Sequence, residues 1–299
     1  MGVKDNMEQG IYHNINSKEY HGEAMANIVS NSYLGRLAKV PAYARLPQEE
    51  TEAMKFGRAF HTYVLEYEVF TKEFIVPDFF PTKPNKRSTQ KTIDTYEEWE
   101  CELLGKQPIT KDDLETIDRM RDSIVQHPFA SKLFKEGISE TTIIWDDIYT
   151  GLKCKVRPDR IPSGNKGVIL DLKSTANASA FAFRNDCVKF GYARECGMYM
   201  EGFAMVKNAL FKDLVFAFIA VEKEPPYRVE VYTLDIDFVQ YGWLEFHRLL
   251  QIEKECREKN FWPHYINAGA EELTKPPFAK SWEWDGQDSI QKDFSMGDR

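Results

Sequence analysis

The chain has 299 residues, and its 39 Lys and Arg against 47 Asp and Glu give a formal net charge of −8 at pH 7. With 42% hydrophobic and 13% aromatic residues, the composition is that of a globular protein and excludes a disordered chain. The acidic balance argues against a protein that binds polyanions over its whole surface, but it is compatible with bases confined to one groove.

The cysteines and the apolar segments exclude several further classes. Five cysteines without a CxxC pair argue against a disulfide framework, a zinc ribbon and an iron–sulfur cluster. The longest apolar run, residues 214–221, is too short to cross a bilayer, and the first ten residues lack the apolar core of a signal peptide. We therefore expect a cytoplasmic protein without a membrane partner.

The first 137 residues or so are predicted to be mainly helical, after an irregular segment over 11–22. Apolar spacing predicts helices over 31–39, 48–66, 96–104 and 111–126. Asn31 or Ser32 is the expected N-cap of the first of these helices, and Thr110 that of the last. A loop with three prolines separates the second helix from the third.

That loop carries several bases that could follow a phosphate backbone, although a solvated flexible loop explains them at least as well. Polar residues near the start of the first helix could hold a terminal phosphate through the helix N-terminus. The candidate nucleic-acid-binding residues of the two segments are Lys83, Lys86, Arg87, Ser30, Ser32 and Arg36.

From about residue 138 the pattern changes to strands and helices. Strands are predicted over 141–145, 152–161, 168–173, 214–221 and 227–233, and helices over 178–190, 193–207 and 236–258. This order predicts an α/β (α+β) fold, in which a mixed central sheet includes a three-strand meander and is flanked by helices. We expect one domain over 1–262, with a helical part over about 1–137 and a sheet core over about 138–262. The tail over 263–299 has no assigned role.

Two acids and one lysine near the predicted meander carry the strongest chemical signal. Asp159 and Asp171 lie on neighbouring predicted strands joined by a tight turn, so their carboxylates can come to one place. Asp171 and Lys173 point to the same face because strand side chains alternate. Such charges beside a buried strand are costly unless they are paired or bound to a metal. Carboxylates suit Mg²⁺ or Mn²⁺, although an Asp-x-Lys pair alone is most often a surface ion pair.

These residues belong to an ordered set of motifs. Pro158-Asp159 followed by Asp171-Leu172-Lys173 resembles the PD-(D/E)xK nuclease signature, and GRAFH with VLE over residues 57–66 resembles the GxAxH-x-x-x-L-E helix of RecB-type nucleases. Within that group, the opening GIYHNINSKEYH and the RPD element resemble the phage exodeoxyribonuclease VIII (RecE) family. The resemblance covers about residues 10–262 and implies a restriction-endonuclease-like core.

The resemblance also implies roles for individual residues. It implies metal ligands at His61, Asp159, Asp171 and the carbonyl of Leu172, a catalytic lysine at Lys173, and a supporting acid on the first strand at Glu140. A solvated charge at a strand start explains Glu140 almost equally well. For Arg157 a structural ion pair with Asp159 is favoured over a phosphate contact. Glu66 is expected to support its helix or the metal ligands.

A helix that follows the catalytic strands often carries Q-x-x-x-Y in this group. Glu195 and Tyr199 have that spacing, but Glu replaces Gln, so the role of position 195 is open and both residues are supporting candidates.

The resemblance implies a Mg²⁺- or Mn²⁺-dependent exonuclease that digests double-stranded DNA ends from 5′ to 3′. It would release 5′-mononucleotides and leave 3′ overhangs for recombination by strand annealing. The implied partners are double-stranded DNA ends, a single-strand annealing protein and further copies of the chain in a ring, and the implied location is the cytoplasm of a bacterial host cell.

Two alternatives stay open. One is a RecB-like nuclease that acts on single strands or flaps, whose iron–sulfur form the cysteines disfavour. The other is a catalytically inactive DNA-binding protein on the same scaffold, because a fold does not fix a function.

Overall fold

The computed structural model describes residues 7–47, 50–164, 167–265 and 272–276. The chain divides into two units, Met1–Pro263 and His264–Arg299, and the helices and strands of the described residues all lie in the first. The expectation of a domain over 1–262 and a tail over 263–299 stays a prediction. None of the helices within the described ranges is both long and apolar enough to cross a membrane.

The first part of the chain is helical, as predicted, with short strands. In chain order its elements are β1 (Gly10–Tyr12), α1 (Ser17–Tyr20), α2 (Asn31–Lys39), α3 (Pro41–Ala44), α4 (Glu52–Leu65), α5 (Tyr67–Glu73), β2 (Phe74–Ile75), α6 (Gln90–Glu102), β3 (Gln107–Pro108), α7 (Lys111–Gln126) and α8 (Ala130–Phe134). The predicted helix over 111–126 is confirmed. Thr110 caps it through a capping box with Asp113, which satisfies N–H groups of the first turn.

The second part supplies the main sheet. Its elements are β4 (Gly137–Ser139), β5 (Thr142–Asp146), β6 (Lys153–Val156), β7 (Arg160–Pro162), β8 (Val168–Thr175), α9 (Ala180–Lys189), α10 (Tyr192–Lys207), β9 (Val215–Glu222), β10 (Val229–Thr233) and α11 (Ile236–Lys259). Five strands pair in the order β10-β9-β8-β7-β4, with β8 parallel to β9 and the other pairs antiparallel. The predicted mixed sheet flanked by helices is thus confirmed.

The predicted strand over 152–161 is wrong as a single strand. It is divided into β6 and β7, which belong to different sheets, because β6 pairs with β5 and β1 in a separate three-stranded sheet. The break lies at Arg157-Pro158-Asp159, where Pro158 has no N–H for a strand ladder. The predicted three-strand meander is therefore wrong too, and the crossing between sheets places Asp159 directly before β7, beside β8.

The core lies on both faces of the five-stranded sheet. Ile169 and Phe218 pack in one buried cluster with residues of α10 and α11. Leu170, Leu172 and Ile219 point to the opposite face and pack with residues of α4 and α7. Because strand side chains alternate, Asp171 and Lys173 share the face of Ile169, which is covered by α10.

Helix α10 is held very close to its neighbours by glycines. A Cβ atom at Gly202 would lie 2.6 Å from the Trp145 ring, and one at Gly242 of α11 would collide with the carbonyl of Ala193. These close approaches fix the position of α10 against the three-stranded sheet and α11.

Several predicted element ends differ from the structure. The N-cap of α2 is Ser30, not Asn31 or Ser32, because the Ser30 hydroxyl accepts the N–H of Tyr33 at 3.3 Å. The helix predicted from residue 48 begins at Glu52 after a Thr51 cap; residues 48–49 lie outside the described residues.

The helix predicted over 96–104 begins earlier and ends earlier, as α6, after a Thr89 cap. The segment 11–22 is not irregular throughout, since it contains most of β1 and all of α1. A capping box between Asn16 and Glu19 starts α1, and its N-x-x-E pattern was the sequence signal for it.

Candidate active site

The sheet brings Asp159, Asp171 and Lys173 together. Arg160 of β7 pairs with Leu170 of β8, so Asp159 lies next to the end of the run that leads into Asp171. The backbone N–H of Leu172 donates to Asp159 Oδ2 at 2.6 Å. In an extended strand the N–H and C=O of one residue face the same edge, so the Leu172 carbonyl faces the Asp159 side as well.

His61 of α4 and Glu140 join the acids from other elements. Nδ1 of His61 lies 3.4 Å from Oδ2 of Asp159. One potential ligand atom from each of His61, Glu140 and Asp159 lies within 4.8 Å of the other two. A shared cation could therefore reach all three residues, which come from positions up to 98 residues apart in the sequence.

Glu140 does not lie on the first strand as predicted. It sits between β4 and β5 in a left-handed conformation, with φ of 51°, and its N–H donates to the carbonyl of Asp159 at 3.2 Å. In this conformation a carboxylate oxygen of Glu140 lies within 4.8 Å of potential ligand atoms of His61 and Asp159. Its oxygen Oε2 lies 3.8 Å from Arg157 Nη1.

Arg157 makes structural contacts, but within the described residues its ion pair is with Glu140 and not with Asp159 as predicted. Its guanidinium stacks over the Tyr20 ring at 4.3 Å and donates to the Ile15 carbonyl at 2.5 Å and to Thr142 Oγ1 at 3.2 Å. Arg157 thereby connects the segment before α1, through Ile15, to β5, through Thr142.

Lys173 lies between two carboxylates. Its Nζ is 2.7 Å from Asp171 Oδ2 and donates to Glu195 Oε2 at 2.8 Å, and it lies 4.6 Å from the centre of the Tyr192 ring. Glu195 thus has a definite contact despite its departure from the expected Gln. The acid fixes the lysine from α10.

The electrostatics of these groups are strongly coupled. Burial by itself would lower the pKa of His61, but the adjacent Asp159, with a further effect of Asp171, raises it to about 9. Burial would raise the pKa of Asp159, yet His61 and Lys173 hold it below its usual value. Burial together with Asp159 raises the pKa of Glu140 to about 8.

The pKa values of Asp171 and Lys173 are both raised, but burial raises the first and opposes the second. Burial and the neighbouring Glu195 raise the pKa of Asp171 well above its ordinary value. Burial opposes the charge of Lys173, but Asp171 and Glu195 more than compensate and raise its pKa. Lys173 is therefore held as an ammonium cation at neutral pH.

The donor set fits a hard divalent cation. Asp171 Oδ2 is buried and accepts no hydrogen bond of acceptable geometry, even though Lys173 Nζ is near. Glu140, Asp159 and His61 offer two carboxylates and an imidazole within 4.8 Å of one another, which suits Mg²⁺ or Mn²⁺; among the described residues Asp171 is not part of that group. His61, Asp159, Asp171 and the Leu172 carbonyl are the groups that would hold it.

A cavity of about 610 Å³ opens onto this cluster. Its lining includes His61, Glu140, Asp159, Glu195 and Tyr199, together with the predicted phosphate contacts Ser30 and Ser32 and with Glu66. The two serine hydroxyls lie 3.1 Å apart at the start of α2. Glu195, Tyr199 and the two serines therefore lie at the same cavity as Glu140 and Asp159.

Other predicted nucleic-acid contacts lie elsewhere. Arg36 does not line this cavity among the described residues; its guanidinium donates to the carbonyls of Ser32 and Ala44, each at 3.4 Å. Lys83, Lys86 and Arg87 are exposed on the loop before α6 and do not line it either. Their role in binding DNA stays a prediction.

Several residues of the cavity wall were not predicted from the sequence as site residues. Tyr20, His21 and Arg58 line it. Arg58 belongs to the GRAFH motif and is fixed by Glu50 at 3.0 Å and Glu73 at 3.7 Å, so the motif itself was the signal for this cation.

The fold and the site together define a protein of the PD-(D/E)xK class. Over residues 35–275 the sequence matches the family DUF3799, described as a PDDEXK-like domain of unknown function, and the chain belongs to that family. The predicted superfamily and restriction-endonuclease-like core are confirmed by this match, and family and site together support a nuclease. No curated protein matches the sequence.

One solved structure shares the fold at low identity. A candidate exonuclease from Eubacterium rectale is 14% identical, covers 95% of this chain and 100% of its own, and has a TM-score of 0.58. This likeness concerns the fold alone. The protein SSO0001 is 13% identical, covers 76% of this chain and 90% of its own, and its TM-score of 0.28 carries no argument.

Proposed function

We propose that the protein is a Mg²⁺- or Mn²⁺-dependent exodeoxyribonuclease that digests double-stranded DNA from 5′ to 3′ and releases 5′-mononucleotides. The observation that supports this most is the convergence of His61, Glu140 and Asp159 within 4.8 Å, beside the Asp171–Lys173 pair and at the wall of a cavity. Metal-dependent hydrolysis of a phosphodiester uses such groups, namely ligands for a cation and a fixed positive charge.

A bound divalent cation would supply Lewis acidity at the phosphoryl oxygen and lower the pKa of a water molecule. Lys173 supplies a fixed positive charge, because Asp171 and Glu195 keep it protonated and hold its Nζ at 2.7 and 2.8 Å. In that state it orients water and stabilises negative charge on the phosphate, and it does not remove a proton.

Ser30 and Ser32 are assigned to the terminal phosphate of the digested strand. Their hydroxyls and the N–H groups of the first turn of α2 can donate to phosphate oxygens, and the helix N-terminus favours negative charge. Their place on the same cavity wall as His61 supports contact with one strand end. The 5′ polarity itself rests on the resemblance to the RecE family.

The proposal includes a wider role in recombination. In it, several copies form a ring around the duplex, and a single-strand annealing protein takes up the 3′ overhang. Mass measurement of the native protein with a DNA end tests the ring, and a monomer at every concentration used for digestion would remove that part of the proposal.

The test of the activity compares linear duplex DNA, single strands and closed circles, each with Mg²⁺. We expect 5′-labelled linear duplex to release labelled mononucleotides first, and closed circles to stay intact. Lys173→Met is expected to slow digestion about 10²- to 10³-fold, the usual effect of losing one preorganised charge. The matched control is Lys212→Met, at an exposed position outside the cavity lining.

Each remaining outcome selects a different function. Faster digestion of single strands or flaps selects the RecB-like alternative. DNA binding without turnover in either metal selects the inactive scaffold. Equal digestion by Lys173→Met and Lys212→Met contradicts the proposed active site.

A further inference from the structure

A second cluster of metal-ligating side chains lies outside the candidate active site. Asp147 follows β5, Glu201 lies on α10 and His247 on α11, and one ligand atom from each lies within 4.8 Å of the other two. Glu201 is six residues beyond Glu195, which is about 9 Å along the helix axis and about 240° around it. The two clusters therefore occupy different faces of α10.

Asp147 is a buried acid in which only one of the two carboxylate oxygens accepts hydrogen bonds. Its residue is 1% exposed, and Oδ2 accepts the N–H of Thr150 at 2.7 Å and the Thr150 hydroxyl at 2.6 Å. Oδ1 is buried without any hydrogen bond and points towards Nδ1 of His247, 3.6 Å away. Buried carboxylate oxygens without a partner are costly and rare, and an ion is one way to satisfy them.

The imidazole of His247 is oriented by its other nitrogen. Nε2 lies 2.7 Å from Glu201 Oε2, which also accepts the Trp243 indole N–H at 2.6 Å. Because a carboxylate only accepts, Nε2 carries the proton in the neutral ring, and Nδ1 presents a lone pair towards Asp147 Oδ1. A carboxylate that holds the far nitrogen of a ligating histidine is the usual arrangement beside metal ions.

The spacing of the two facing atoms suits a transition metal. Two ligands bound at about 2.0–2.1 Å in tetrahedral geometry lie about 3.4 Å apart, close to the 3.6 Å observed between Asp147 Oδ1 and His247 Nδ1. One nitrogen with carboxylate oxygens favours Zn²⁺ over Mg²⁺, which prefers oxygens and water.

We propose that Asp147, Glu201 and His247 form a second metal site, for a structural Zn²⁺ ion. The ion would be bound by Asp147 Oδ1 and His247 Nδ1 and would join the turn after β5 to α11, with Glu201 of α10 as the group that holds His247 through Nε2. This proposal is independent of the nuclease proposal, because none of its residues belongs to the first cluster.

The experiment counts Zn²⁺ in a protein whose first site is removed. The background variant is full-length His61→Ala/Asp171→Ala, dialysed against Zn²⁺ alone and analysed for zinc per chain. We expect one equivalent, which falls below 0.1 equivalent when Asp147→Asn is added. Asp146→Asn is the matched control, since Asp146 is the neighbouring acid, is exposed and pairs with Lys153; it should retain the full equivalent.

Asp147→Asn is chosen because it keeps the fold. Its amide oxygen can still accept from Thr150, and its NH₂ can donate to Nδ1 of His247. Zn²⁺ at one hundred times its Kd should multiply the folded-to-unfolded ratio of the background protein about 100-fold and leave that of the Asp147→Asn protein unchanged.

A readout on wild-type protein completes the test. Anomalous diffraction at the zinc edge should show a peak about 2.0–2.2 Å from both Asp147 Oδ1 and His247 Nδ1. If His247 is instead a protonated bridge between two carboxylates, no zinc binds there. The absence of the peak, or equal zinc in Asp147→Asn and Asp146→Asn, overturns the proposal.

Discussion

Asp159 and Leu172 are joined by a hydrogen bond of 2.6 Å from a backbone N–H to a carboxylate oxygen. The bond links the end of the RPD break to the middle residue of the DLK strand, next to Asp171 in the chain. The same oxygen of Asp159 lies 3.4 Å from His61. This oxygen of Asp159 therefore connects α4 to β8.

We expect Asp159→Asn to separate stability from activity. An Asn oxygen can still accept the buried N–H of Leu172, so the thermal midpoint should change by only a few degrees. The amide is a poorer ligand for a divalent cation, and digestion of linear duplex should fall at least about 10²-fold.

Asp159→Ala serves as the contrasting variant. It leaves the Leu172 N–H buried without a partner, which costs about 1–3 kcal/mol of unfolding free energy. Activity of Asp159→Asn near that of the wild type would contradict a ligand role for Asp159.

Binding of the cation at His61 should release a proton. In the metal-free protein burial would lower the pKa of His61, but Asp159 raises it to about 9, so the ring is protonated at pH 7. A metal ligand must be neutral, so affinity for Mn²⁺ should rise with pH, about tenfold per unit for this proton, and level off above pH 9.

Calorimetry in two buffers of different ionisation enthalpy counts the protons released. His61→Gln should release about one proton fewer per Mn²⁺ than the wild type. Equal proton release by the two proteins would show that the ion does not displace a proton from His61.

Glu195→Gln tests the departure from the expected glutamine. Gln can still accept a hydrogen bond from Lys173, so the lysine should stay in place and activity should stay within about tenfold of the wild type. Removal of the Glu195 charge also lowers the pKa of Asp171, because that charge is a cause of its increase. The acidic limb of the pH–rate profile should therefore move to lower pH.

Glu195→Ala is the control, since it removes the acceptor as well as the charge and should reduce the rate much further. If Gln and Ala reduce the rate equally, the acid has a role beyond holding Lys173.

The close packing of α10 against α11 predicts a pair of opposite stability effects. Gly242→Ala would drive a methyl group into the Ala193 carbonyl, and we expect a loss of about 3 kcal/mol or more of unfolding free energy. Gly57→Ala in α4 meets open space and should instead stabilise the protein by about 0.5–1 kcal/mol. Denaturant titration measures both, and similar effects from the two variants would contradict the packing argument.

Local sequence patterns were sufficient to predict β8, the strand that carries Asp171 and Lys173. The alternation within a strand correctly placed Asp171 and Lys173 on one face, where their charged atoms are 2.7 Å apart. The ends of α7 were also readable, because a cap and regular apolar spacing are local signals.

Long-range contacts and unusual backbone turns could not be predicted from the sequence. The contact between Lys173 and Glu195 depends on how α10 packs, which glycine-mediated close approaches decide. The left-handed turn at Glu140 is rare for a non-glycine residue, and no local signal marked it. His247, Glu201 and Asp147 share no motif, because three separate elements bring them together.

Diffraction from crystals soaked in Mn²⁺ shows whether His61, Asp159 and Asp171 hold a hard divalent cation. We expect an anomalous peak within about 2.0–2.6 Å of oxygens of Asp159 and Asp171, with His61 adjacent. Saturating Mn²⁺ without a peak between these acids would contradict this expectation.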